Sequence, residues 1–92
     1  MAFKRLSLRG FSRDYDIRRQ VEGFGTRYIC SATLYRGRHI RRKVDEISSF
    51  VSTMSGVAVA REMTETFRDQ LVERHGLEEE VEAGYRAFEL QR

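Results

Sequence analysis

Residues 27–44 carry five arginines and one lysine and no acidic side chain. Tyr28 and Tyr35 are interleaved with them. Phosphate groups need cationic donors spaced along a surface, and bases need flat rings to stack on. The phosphate-contact candidates are Arg18, Arg27, Arg41 and Lys43, with Arg36 and Arg38 on a following loop; Tyr35 and Phe24 are the stacking candidates. Fifteen of the seventeen basic residues are Arg, whose planar fork suits phosphate and carboxylate alike. The competing explanation is a solvated sheet kept from sticking by its charge, through cross-strand pairs such as Arg9–Asp16 and Glu22–Arg27.

Other chemistry is thinly supplied. Cys30 and His39 are the nearest approach to a nucleophile and base, but strand alternation puts them on opposite faces, and Cys30 reads as a buried structural thiol. A lone Cys permits no internal disulfide. Two His without Cys partners make no recognisable metal set. The "GFG" at 23–25 does not lead from a strand into a helix, so it lacks the context of a phosphate-binding loop. No enzyme activity, metal or cofactor is expected.

Charge is divided along the chain. Residues 1–44 hold twelve Lys/Arg against three Asp/Glu, and residues 45–92 hold five Arg against eleven Asp/Glu. The net +3 therefore hides a basic half joined to an acidic one. Ninety-two residues suit one domain over 1–92, burying roughly 60–65% of its unfolded surface. The longest purely apolar run, 57–60, is too short to span a bilayer. Basic residues near the start lack the apolar run of a signal peptide. A cytoplasmic location is expected.

The basic half must be a sheet if its cations are to share a surface. Tyr15, Ile17 and Val21 alternate at period two. A four-residue hairpin loop at 23–26 would pair Val21 with Tyr28, Ile17 with Ala32 and Tyr15 with Leu34. A three-residue loop at 36–38 would pair Tyr35 with His39, Leu34 with Ile40, Ala32 with Arg42 and Cys30 with Val44. An earlier strand is expected over 3–11, adding Leu6 and Leu8 to the apolar face and Arg5 and Arg9 to the polar one, with Arg13 on the turn. The predicted core is Leu6, Leu8, Ile17, Val21, Tyr28, Cys30, Leu34, Ile40 and Val44. Arg19 and Arg42 fall on that face too. Either they snorkel at its rim, or they pair with a helix acid such as Asp45 or Glu62.

The acidic half reads as helices. Asp45 is placed to cap a helix whose stripe is Ile47, Phe50, Val51 and Met54, with a stop at 55–56. The run 57–63 reads equally as helix or strand. A further helix starts near Thr64, carries Met63, Phe67 and Leu71 on one stripe, and ends at Gly76 after Arg74 and His75. The last places Leu77, Val81, Tyr85 and Phe88 on one stripe and three glutamates in its first turn, where the helix dipole favours them.

These elements predict an α+β fold: a three- to four-stranded antiparallel meander followed by two or three helices packed on one face. At the level of fold, a three-stranded meander followed by a helix is similar to the small arm-type DNA-binding domains of phage integrases. It is similar also to small phage proteins that inhibit bacterial defence complexes. These likenesses rest on no diagnostic residue. The expectation is a small non-enzymatic protein whose Arg-rich sheet face binds nucleic acid, DNA or RNA. The alternative is a phage-type inhibitor or adaptor of the anti-CRISPR kind that binds another protein. A homodimer joining acidic helix to basic sheet is a third arrangement. No membrane association is expected.

Overall fold

The computed structural model describes residues 14–83. The strand expected over 3–11, with Leu6 and Leu8, lies outside the described residues, as do Arg5, Arg9, Arg13, Tyr85 and Phe88. Strands β1 (Tyr15–Phe24), β2 (Arg27–Arg36) and β3 (Arg42–Ser52) form an antiparallel meander with β2 in the centre. A single 3-10 turn (Thr53–Ser55) leads into the long helix α1 (Val57–His75), and a short helix, α2, occupies 78–83. The fold is α+β, with the helices packed on one face of the sheet.

The first hairpin is tighter than the four-residue loop predicted. Phe24 pairs directly with Arg27, leaving Gly25 and Thr26 as the turn. Gly25 has φ 62°, and among the described residues no non-glycine has positive φ; a glycine first and an ordinary residue second is the pattern of a type II′ turn. The register therefore moves by two. Val21 faces Cys30, Arg19 faces Ala32 and Ile17 faces Leu34. Because side chains alternate with period two, every residue keeps its predicted face.

The second connection departs further. Arg36 pairs with Arg42 and Tyr35 with Lys43, then a bulge shifts the register so that Leu34 meets Asp45 and Ala32 meets Ile47. The loop is thus 37–41, and Arg36 closes β2 rather than opening a loop. A Cβ on Gly37, at φ 132°, would stand 2.1 Å from the Ile40 carbonyl oxygen, so only glycine fits. Lys43, opposite Tyr35, and Arg42, opposite Arg36, keep their predicted faces, whereas Ile40 falls in the loop and Val44 is the bulged residue between Lys43 and Asp45. Ile40 and Val44, expected in the core, are 79% and 46% exposed.

Residues 45–52, predicted as a helix, belong to β3. Ile47, Phe50, Val51 and Met54 have helical spacing, but Asp45, Ile47, Ser49 and Val51 also alternate, and the backbone of β2 needs ladder partners on that side. Asp45 consequently caps nothing; its Oδ1 accepts from the Glu46 N–H within the strand. The cap is Ser52, whose hydroxyl accepts from the Met54 N–H and starts the 3-10 turn. Gly56 closes the 3-10 turn, its N–H donating to Thr53 O, and also precedes α1.

Helix α1 includes both 57–63 and the segment from Thr64. Ala60, Thr64 and Leu71 are buried, and with half-buried Phe67 they form a stripe over the sheet. The helix ends in the double bond of a Schellman motif: the Gly76 N–H donates to Glu73 O and the Leu77 N–H to Val72 O. Leu77 is thereby turned into the core, where Ile17, Ala32, Leu34, Leu71 and Leu77 pack with Tyr15, Ile47, Phe67, Val72 and Val81. Val21 and Tyr28 are only half-buried.

Two ionic contacts tie helix to sheet. Arg19, on the apolar face, reaches Glu65 of α1 at 3.6 Å; the partner is a helix acid, though neither Asp45 nor Glu62. On β3, Asp45 Oδ2 lies 2.9 Å from both Arg74 Nη1 and His75 Nε2. These hydrogen bonds, His75 first, and that of the Glu46 amide hold the Asp45 carboxyl down at about 2. Burial pushes the Cys30 thiol up, in keeping with a core role. Arg42 is exposed, opposite Arg36.

Candidate nucleic-acid interface

With the helices on one side, the other face of the sheet is defined by cross-strand rows. From the hairpin end these are Phe24–Arg27–Ser52, Glu22–Ile29–Phe50, Gln20–Ser31–Ser48, Arg18–Thr33–Glu46 and Asp16–Tyr35–Lys43. The first two rows carry Phe24, Ile29 and Phe50 with one cation, Arg27, and one acid, Glu22; the third is neutral, and the last two are charged. At about 3.4 Å per residue the face is nearly 30 Å long.

Arg18, Arg27, Lys43, Tyr35 and Phe24 are brought together on this face. Arg41 joins them from the loop by leaning on Asp16, 3.8 Å away. Arg18 makes two contacts at once: its guanidinium lies 4.8 Å above the Tyr35 ring and its Nε is 3.4 Å from Asp16 Oδ2. A guanidinium over a ring keeps it flat and leaves its edge donors free for an anion. Arg27 lies over Phe50 at 5.7 Å and forms no pair with Glu22. Arg38 is exposed and pairs with Asp14 at 3.1 Å. Arg36 stands apart, over the Tyr15 ring at the end of the helix-side face. His39 is exposed in the loop and does not pair with Tyr35.

Several of these cations are answered internally. Asp16 serves Arg18 and Arg41. Glu46 accepts from Lys43 Nζ at 3.3 Å and from the Thr33 hydroxyl at 3.1 Å. At the loop end, Arg18, Arg38, Arg41 and Lys43 face the carboxylates Asp14, Asp16 and Glu46. With four cations against three carboxylates, the positive excess there is smaller than the 27–44 stretch suggests.

Sequence reasoning overlooked Phe50, 59% exposed, and Glu46, because both were assigned to a helix. The alternation Glu46, Ser48, Phe50, Ser52 carried the information. Phe50, Arg27 and Met54 line a shallow open depression of about 480 Å³ at the hairpin end. Among the described residues no group of three His, Cys, Asp or Glu is placed to hold a metal ion, and no helix is long and apolar enough to cross a membrane. Comparison with protein-family models, with curated proteins and with solved structures finds no match to this chain.

Proposed function

We propose that the protein is a non-enzymatic binding module that engages nucleic acid through the helix-free face of its sheet. The observation that carries this reading is the common placement of Arg18, Arg27, Lys43 and the Tyr35 and Phe24 rings on that face, with Arg41 reaching onto it. Phosphates would meet the charged rows and the loop arginines Arg38 and Arg41, while bases would stack on exposed rings. A phosphate approaching Arg18 or Arg41 competes with Asp16, so binding exchanges ion pairs instead of creating them all anew. Each cation of this face that takes up a phosphate should steepen the fall of log affinity for duplex DNA with log salt by about 0.9. Fluorescence anisotropy on labelled single- and double-stranded oligonucleotides at two salt concentrations tests this. Absence of binding at low salt would rule it out.

One observation favours the second reading, a protein-binding inhibitor or adaptor. Phe24, Phe50 and Met54 are 72%, 59% and 95% exposed around Arg27, and aromatic residues, Met and Arg are enriched at protein interfaces. A specific protein partner that survives nuclease treatment in a pull-down would support this reading over the first.

A further inference from the structure

Among the described residues β3 is an edge of the sheet, and its ladder assigns each backbone group a direction. The Thr53 N–H donates to Thr26 O at 2.9 Å, which makes residues 26 and 53 a hydrogen-bonded pair. Such pairs alternate along an antiparallel ladder, so Asp45, Ile47, Ser49 and Val51 turn their N–H and C=O groups toward β2. A separate bond gives the same phase. The Gly37 N–H donates to Asp14 O at 2.7 Å, which leaves Cys30, Ala32 and Leu34 of β2 facing β3. Glu46, Ser48, Phe50 and Ser52 therefore direct their backbone groups outward. The Glu46 N–H is indeed taken by Asp45 Oδ1, at 2.8 Å. No bond to a group beyond the sheet meets the N–H of Ser48 or Phe50 among the described residues, and Ser48, Ser49 and Phe50 are exposed.

Open edges invite other strands, and sheets usually protect them with charge, proline, a bulge or a covering element. Residues 47–52 contain no charge and no proline, and the bulge lies at the far end of β3. We propose that this edge pairs with the same edge of a second copy, antiparallel about a two-fold axis at Ser49, joining the three described strands of each copy in one continuous sheet. Outward-facing residues must oppose outward-facing residues, which limits the register to whole steps of the axis. With the axis at Ser49, Phe50 of each copy lies over the small Ser48 of the other. On the helix side Ile47 meets Val51 and Ser49 meets itself. Glu46 faces Ser52, so no like charges are opposed. Moving the axis to Ser48 sets Phe50 against Glu46 and Val51 against Asp45. Moving it to Phe50 sets Glu46 against Met54, where the strand has already turned into the 3-10 segment. A second copy fits because the segment is neutral toward itself and its donors and acceptors alternate as only a strand can match; an isologous contact of this kind closes as a dimer.

The test needs no nucleic acid and is independent of the functional reading. Light scattering on the full chain should give twice the monomer mass at high micromolar concentration. Ser48→Lys, which places a cation at the dyad-flanking pair, should return it to monomer with an unchanged circular dichroism spectrum. In a Cys30→Ala background, Ser49→Cys should form an intermolecular disulfide under mild oxidation, because non-hydrogen-bonded pairs bring Cα atoms to about 4.5 Å. Glu62→Cys, on the exposed side of α1, should not. A monomeric wild-type chain overturns the proposal. So does a dimer in which the Ser49→Cys variant fails to cross-link, which would place the contact elsewhere, for instance between acidic helix and basic sheet. Capture of a foreign strand by an otherwise monomeric chain also counts against self-pairing.

Discussion

Replacing Asp16 with Asn tests the electrostatics of the sheet face directly. Asp16 Oδ2 lies 3.4 Å from Arg18 and 3.8 Å from Arg41, while Oδ1 is buried without a hydrogen bond among the described residues. The amide keeps the shape and removes the charge, so both guanidiniums lose their internal competitor. The positive excess at the loop end rises by one. For duplex DNA the slope of log affinity against log salt should steepen by about 0.9. The variant should bind more tightly than the wild type, by a margin about threefold larger at 50 mM than at 200 mM salt. Stability should change little, within about 1 kcal/mol, since ion pairs to exposed arginines contribute modestly. Anisotropy titrations at several salt concentrations, with urea unfolding as the control, measure both quantities. An unchanged slope, or weaker binding by a folded variant, refutes the idea that Asp16 competes with phosphate for these arginines.

Leu34→Ala removes a fully buried side chain at the centre of the core and should cost about 2–5 kcal/mol in urea unfolding. Gly37→Ala forces a side chain toward the Ile40 carbonyl at φ 132°; a loss of about 1–3 kcal/mol is expected, and a neutral effect would mean the loop reshapes freely. The Asp45 carboxyl sits at about 2 in the folded chain against an ordinary 3.8. Its contribution to stability is therefore fully present above the unfolded value and lost as pH falls from 3.8 through about 2. Asp45→Asn should lower the urea midpoint at neutral pH, and its gap to the wild type should close across that acidic window.

Alternation alone assigned β1 and β2 their faces. Ile17, Cys30 and Leu34 are buried and Arg18 and Arg27 lie opposite them, whatever the length of the first loop. A slip of two residues leaves faces intact, so the hydrophobic pattern does not distinguish a four-residue loop from the two-residue turn; hydrogen bonding of Gly23 and Phe24 into the ladder decides it. The end of α1 was equally legible, because Arg74, His75 and Gly76 carry both the dipole and the left-handed cap. Residues 45–52 were not. Ile47, Phe50 and Val51 fit a period of 3.6, while Ile47 and Val51 alone also fit a period of two, and only the unpaired flank of β2 selects the strand. That choice turns Phe50 and Glu46 onto the candidate face, brings Asp45 to Arg74 and His75, and leaves Ile40 and Val44 in solvent. Internal neutralisation of the arginines is likewise a property of the tertiary structure. Local composition counts charges, whereas the distance between Asp16 and Arg41 depends on how a loop folds back across a neighbouring strand.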